Sequence, residues 1–129
     1  MQTHTITKSK IFIVDDDYDL LISLTALFES ENFHVESTKD SRTLYKCMRQ
    51  TKPDLLLIDV ILKGENGMEI CRNLKADDNF KNIPVILMSG MFDFHHQTSS
   101  NPLFADDYIS KPFSNREILE KVTLLLNDE

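Results

Sequence analysis

Apolar residues along this chain follow two rhythms. Short runs rich in β-branched, leucine and aromatic residues recur at KIFIV (10–14), FHVES (33–37), DLLLI (54–58), PVILM (84–88) and DYIS (107–110). Between them, apolar positions return every three or four residues, the period of a helix with one buried face. DLLISLTALFESE places Leu20, Leu24, Leu27 and Phe28 on one face, and GMEICRNLK does the same with Met68, Cys71 and Leu74. The last such stretch opens with Ser114 and Glu117, the S-x-x-E capping box, and continues through Ile118, Val122 and Leu125. Strands alternating with helices predict βαβ units, a parallel sheet and helices on both of its faces. The solidly apolar middle runs fit strands buried on both sides. Five strands and five helical or loop crossovers follow, with no repeat or low-complexity tract.

The fourth crossover breaks the rhythm. MFDFHHQTSSNPLFA (91–105) has weak apolar periodicity, a Ser/Asn cluster and Asn101-Pro102. A residue before proline avoids the helical region, so a helix here is expected to be short or interrupted near Asn101.

What ends each strand carries chemistry. IFIV runs into Asp15 and Asp16, LLLI into Asp59, VILM into Ser89, and DYIS into Lys111. Parallel strands present their C-terminal ends along one edge, where open α/β sheets bind ligands. Three carboxylates, a hydroxyl and an ammonium would therefore converge. Carboxylates gathered this way call for a cation. Mg²⁺, with Mn²⁺ as a substitute, takes oxygen ligands and commonly combines one or two carboxylates with phosphate oxygens. A carboxylate can also act as the nucleophile and form an acyl phosphate. Asp59, the lone carboxylate ending the central run, suits that role; Lys111 and Ser89 would supply a positive charge and a hydrogen-bond donor to the transferred group.

At these residues the sequence resembles the receiver domain of two-component response regulators, over nearly its whole length. IFIVDDD is similar to the family's acidic pair, PDLLLIDVILKGENGMEICRNLK to its phosphoacceptor segment, IPVILMSG to its switch-hydroxyl segment and DDYISKPF to its conserved-lysine segment. The resemblance implies a flavodoxin-like doubly wound five-stranded parallel sheet in the order 2-1-3-4-5, with five crossover helices. It implies Asp59 as phosphoacceptor. Asp15, Asp16, Asp59 and the main-chain carbonyl of Ile61 would form the metal site, with Asp16 a direct ligand. Ser89, Lys111 and Tyr108 become the phosphate-binding and switch residues, and the Lys111–Pro112 peptide is expected to be cis. A histidine kinase or a histidine phosphotransfer domain would be the phosphodonor. Phosphorylation would draw Ser89 inward, with Tyr108 following, and so remodel the face of the fourth helix, fifth strand and fifth helix. That is a population shift between two packings. Such a chain is a self-phosphorylating and self-dephosphorylating switch rather than a turnover enzyme. Residues 10–127 would form the receiver and 1–9 an N-terminal extension, either standing alone or belonging to a larger regulator or hybrid kinase.

The chain also departs from the family pattern. Lys63 stands where many members have proline, leaving the loop after Asp59 less rigid, while Gly64 and Gly67 keep its turns possible. Ile61 and Met91 would flank the phosphoryl group with apolar side chains, hindering the attacking water and lengthening the phosphate's life. Phe104 replaces a glycine before Ala105, which together with Asn101-Pro102 points to a rebuilt output surface.

The other candidate groups read as structural. Asp17 and Asp19 serve the positive N-terminus of the first helix. The adjacent His95-His96 point in different directions on a helix and lack metal-ligand spacing. Asp106-Asp107 are expected to form a solvated loop. Cys47 and Cys71 are expected to be free packing thiols in a reducing cytoplasm.

Bulk properties narrow the partners. The 129 residues suffice for one domain with a genuine core, and 41% hydrophobic with 27% charged residues is ordinary globular composition. A net charge of −7 argues against unaided binding to nucleic acid or anionic membranes. No run is long enough to cross a membrane, and the N-terminus lacks the apolar core of a signal peptide. Two rival readings remain. In a haloacid dehalogenase-like phosphatase, Asp15 would be the nucleophile of a D-x-D motif with Asp17, but the acidic pair expected after the lysine is missing and Asp59 has no role. In a receiver-like scaffold there would be no phosphorylation, although every residue needed for it is present.

Overall fold

The computed structural model describes residues 8–90 and 105–127. Its elements are β1 (Lys10–Val14), α1 (Tyr18–Ser30), β2 (His34–Thr38), α2 (Ser41–Gln50), β3 (Leu55–Asp59), β4 (Ile61–Leu62), β5 (Glu65–Asn66), α3 (Gly67–Lys75), β6 (Val85–Ser89), β7 (Asp107–Ser110) and α4 (Asn115–Asn127). Five strands pair in the order β2-β1-β3-β6-β7, every pair parallel, which is the 2-1-3-4-5 doubly wound topology read from the sequence. Four crossover helices lie among the described residues; the fourth crossover read as short or interrupted, with Met91, His95-His96, Asn101-Pro102 and Phe104, lies outside them, as do residues 1–7 and 128–129.

The pleat sorts the core into two layers. Phe12, Val14, Leu56, Ile58, Val85 and Leu87 face Leu44 and Met48 of α2 and Ile70, Cys71 and Leu74 of α3. Their neighbours Ile11, Ile13, Leu55, Leu57, Ile86 and Met88 face Leu24 and Phe28 of α1 and Ile118 and Val122 of α4. β1, β3 and β6 are buried at every position, so both faces of the sheet centre are covered by helices. The edge strand β2 is a mixture of exposed and half-buried residues, with none fully buried. Side chains cap the helices: Asp17 accepts from Leu20 N (3.2 Å), Asp40 from Thr43 N (2.8 Å), and Ser114 Oγ from Glu117 N (3.0 Å).

Three strands sit one residue later than the apolar runs indicated, because the ladder continues into the polar residue that ends each run. Asp59 pairs with Met88, and Ser89 with Ser110, as the last rungs of their strands. The functional groups therefore belong to the sheet rather than to the loops beyond it.

Of Asp106 and Asp107, Asp106 is exposed in a bend before the last strand, as expected, while Asp107 is a correction because it lies in that strand. Asp106 Oδ2 accepts from Lys75 Nζ (2.7 Å) and Val85 N (2.8 Å), tying α3 to the start of β6. Asp107 opens β7 and pairs with Lys121 of α4 at 3.3 Å. Both cysteines are free, Cys71 buried and Cys47 half-buried.

β4 and β5 form a small antiparallel hairpin turning at Lys63-Gly64, with Gly64 at φ +75°, a conformation glycine reaches at no steric cost. The chain then returns to its starting point, Gly67 N donating to Val60 O at 2.7 Å. A Cβ on Gly67 would lie 2.0 Å from the main-chain oxygen of Asp59, a backbone atom with no freedom to retreat. In an open helix, glycine to alanine stabilises by up to about 1 kcal/mol. Here Gly67→Ala is expected to destabilise by about 2 kcal/mol or more through overpacking. Urea unfolding reads the sign directly, and a variant as stable as the wild type would contradict the close approach.

Candidate functional site

Four strand ends meet at one rim of the sheet. Asp15 follows β1, Asp59 closes β3, Ser89 closes β6 and Lys111 follows β7. Because β1 and β3 are direct neighbours, Asp15 and Asp59 stand side by side, and Asp16 lies one residue further out. One carboxylate oxygen from each of Asp15, Asp16 and Asp59 lies within 4.8 Å of the others. At that separation, in an effective dielectric of about 20, two carboxylates repel by about 3 kcal/mol.

The Lys111 ammonium partly balances them. Its Nζ lies 2.8 Å from Asp15 Oδ2 and 3.2 Å from Asp59 Oδ1, so one cation bridges two carboxylates that are themselves almost fully buried. Burial works against the charged lysine, but the hydrogen bond to Asp15 and the charges of Asp15 and Asp59 outweigh it and raise its pKa. Lys111 N donates to Ser89 O (2.9 Å), which fixes the lysine's main chain against the end of β6. The Lys111–Pro112 peptide is cis.

The second oxygen of Asp15 accepts from Asp17 N at 2.9 Å, so both oxygens of this carboxylate are engaged. Asp59 is held less fully. Burial, followed by the charge of Asp15, lifts its pKa from the ordinary 3.8 to about 6; Lys111 offsets part of that rise and Asp16 adds to it. Asp16 is exposed, and its Oδ2 accepts from Lys63 N at 2.8 Å.

The remaining candidate residues are placed around this group. Ile61 lies in β4, two residues beyond Asp59, with its side chain 46% exposed. Ser89 is buried at the end of β6. Tyr108 is half-buried in β7 and packs with Ala105 against the α2/α3 side of the core. Asp17 caps α1 and Asp19 lies in its first turn, the structural roles expected of them.

Sequence reasoning missed the hairpin and the bonds it carries. Glu65 of β5 accepts from both the N–H and the Oγ of Ser41, where α2 begins. Lys63-Gly64 between two short segments is a turn signal, but strands of two residues are too short to show a period.

A group of three oxygen-donor carboxylates around an opening suits a hard divalent ion, and no nitrogen or sulfur donor competes there among the described residues. With one ammonium for three carboxylates among the described residues, the site keeps excess negative charge.

The raised pKa of Asp59 has a consequence for stability. An acid that holds its proton more tightly when folded contributes less to stability as pH rises from 3.8 through about 6. In metal-free protein, Asp59→Asn is therefore expected to stabilise at neutral pH, by up to about 3 kcal/mol. The gain should fade as pH falls from about 6 towards 4, where wild-type Asp59 is protonated as well. Urea denaturation in EDTA across this range checks it; a mutant no more stable than wild type at neutral pH would contradict it.

Comparison with known proteins agrees with this geometry. Residues 11–123 match the family model of the response regulator receiver domain. The DNA-binding response regulator MtrA of Mycolicibacterium paratuberculosis is 33% identical over 124 residues, which cover 95% of this chain and 54% of MtrA. The phosphate regulon transcriptional regulatory protein PhoB of Pseudomonas aeruginosa is 30% identical over 116 residues, 90% of this chain and 51% of PhoB. The chain thus spans about half the length of these curated relatives. Among solved structures, the receiver domain of a signal transduction histidine kinase from Syntrophus aciditrophicus superposes with a TM-score of 0.83 at 29% identity, covering 94% of this chain and 95% of that one. The BeF3-activated receiver domain of Klebsiella pneumoniae RstA does so with a TM-score of 0.82 at 26% identity, covering 93% and 100%. Vibrio cholerae CheY4, at 18% identity and a TM-score of 0.83 over 92% of this chain and 99% of its own, shares the fold. The chain belongs to the response regulator receiver domain family of two-component signalling.

Proposed function

We propose that this domain is a phosphorylation switch in which Asp59 accepts a phosphoryl group from a histidine kinase or a histidine phosphotransfer domain. The observation that carries the reading is the Lys111 ammonium set between Asp15 and Asp59, inside a cluster that remains short of positive charge. Asp15, Asp16, Asp59 and the Ile61 carbonyl would hold Mg²⁺, and Mn²⁺ would suit the same oxygens. When bound, the ion supplies the charge neutralisation that phosphoryl transfer requires.

The chain's own residues do the rest. An Asp59 carboxylate oxygen attacks phosphorus as the bond from phosphorus to the donor's imidazole nitrogen breaks, leaving an acyl phosphate. Lys111, already 3.2 Å from Asp59 Oδ1, transfers its ammonium to the arriving phosphoryl oxygens. Ser89, ending the neighbouring strand, donates its hydroxyl to the same group, and Tyr108 responds from the next strand. The new hydrogen bonds shift the balance between two packings of the β6–β7 side, which a downstream partner reads. Residues 10–127 form this receiver and 1–9 an extension, in the cytoplasm where two-component kinases act. The exposed apolar side chain of Ile61 beside Asp59 shields the acyl phosphate from attacking water.

The dehalogenase-like alternative finds no support. Both oxygens of Asp15 are occupied, by Asp17 N and Lys111 Nζ, and the residue is fully buried.

Incubation with Mg²⁺ and acetyl phosphate, followed by mass spectrometry, tests the proposal. Label is expected on Asp59, absent without Mg²⁺ and absent in Asp59→Asn, and slowed on the order of 100-fold in Lys111→Ala, about what loss of one preorganised contact costs. Label on Asp15, or none at all, would overturn it.

A further inference from the structure

We propose that the main-chain N–H of Lys63 is a positioning donor for the ion site, and that the Glu65–Ser41 contact behind it holds that donor in place. The inference rests on the ion site put forward above. Asp16 is the one exposed member of the carboxylate group, and an exposed aspartate is free to turn among its rotamers. Among the described residues it is hydrogen-bonded on one side only. Oδ2 accepts from Lys63 N at 2.8 Å, leaving Oδ1 for a cation. A partner that orients a ligand's carboxylate in this way commonly changes metal affinity by 10- to 100-fold.

The hairpin that delivers this N–H is itself anchored at two further points. At its base, Gly67 N donates to Val60 O at 2.7 Å, directly beside Asp59. On its flank, Glu65 Oε1 accepts from Ser41 N at 2.9 Å and Oε2 from Ser41 Oγ. Ser41 is the first residue of α2, so the Glu65 carboxylate also sits at the positive end of that helix. The turn, Lys63-Gly64, is thereby fixed at the metal-facing end of a strap running from Asp59 to α2. Coupling of this kind is reciprocal: what the strap does for an ion at Asp16, the ion does for the strap.

Lys63→Pro separates this role from the lysine side chain. Proline lacks the N–H, suits the first position of a two-residue turn, and follows Leu62, which is already in a strand. The comparison is with Lys63→Ala, which removes the same side-chain charge and keeps the donor. Isothermal titration with Mg²⁺ is expected to give Lys63→Pro a Kd roughly 10-fold above that of Lys63→Ala, at similar thermal stability. Glu65→Ala should weaken Mg²⁺ in the same direction, and Glu65→Gln, which retains an acceptor for Ser41 N, should recover most of the loss. Equal Kd values for the two Lys63 variants would overturn the inference. Amide hydrogen exchange on the wild-type domain needs no variant to fold: saturating Mg²⁺ should slow exchange at both Lys63 and Ser41, and unchanged rates at both would also overturn it. Wild-type protein that binds no Mg²⁺ would instead remove the ion site itself, and this inference with it.

Discussion

A lysine ammonium wedged between two buried carboxylates is the contact on which the rest of this molecule turns. Asp15 and Asp59 are at most 6% exposed, and two carboxylates buried at an apolar sheet end are costly without a cation close by. Lys111 provides one, at 2.8 and 3.2 Å. It does not provide enough, since Asp16 adds a third carboxylate within 4.8 Å and Asp59 is pushed up to about 6. A site left short of positive charge suits a divalent ion. On the proposed reading, the imbalance that weakens the resting fold is what a divalent ion and a phosphoryl group would relieve.

The sheet explains how these groups meet. Asp15 and Lys111 are 96 residues apart along the chain, yet they are brought together because the parallel ladder places the C-terminal ends of β1, β3, β6 and β7 along a single rim. The pleat sends Phe12 and Val14 to one helical layer and Ile11 and Ile13 to the other, so the strand leading to Asp15 is fixed on both faces. Gly67 allows α3 to begin against the main chain of Asp59. The carboxylates are thus held by a sheet end that is packed on both faces.

Much of this was legible from the sequence because its signals are local or strictly periodic. KIFIV and DYIS are strands at the residues expected, the Ser114 cap forms, and Asp15, Asp16, Asp59 and Lys111 come together at the strand ends. What was not legible depends on distant partners. Asp106 is exposed as it reads, but its bond from Lys75, 31 residues away, has no local signal. The polar residues Asp59 and Ser89 read as loop until their ladder partners extend the strands. The hairpin after Asp59, with its bonds from Lys63 to Asp16 and from Glu65 to Ser41, offers no period at all, and it reaches both residues only in the folded chain.

The electrostatic account is tested most directly by following the Asp59 side-chain carboxyl through a pH titration by carbon-13 NMR, with and without Mg²⁺. The account predicts a midpoint near 6 in metal-free protein, shifted clearly downward once Mg²⁺ saturates the site. A midpoint at the ordinary value of 3.8, indifferent to Mg²⁺, would contradict it.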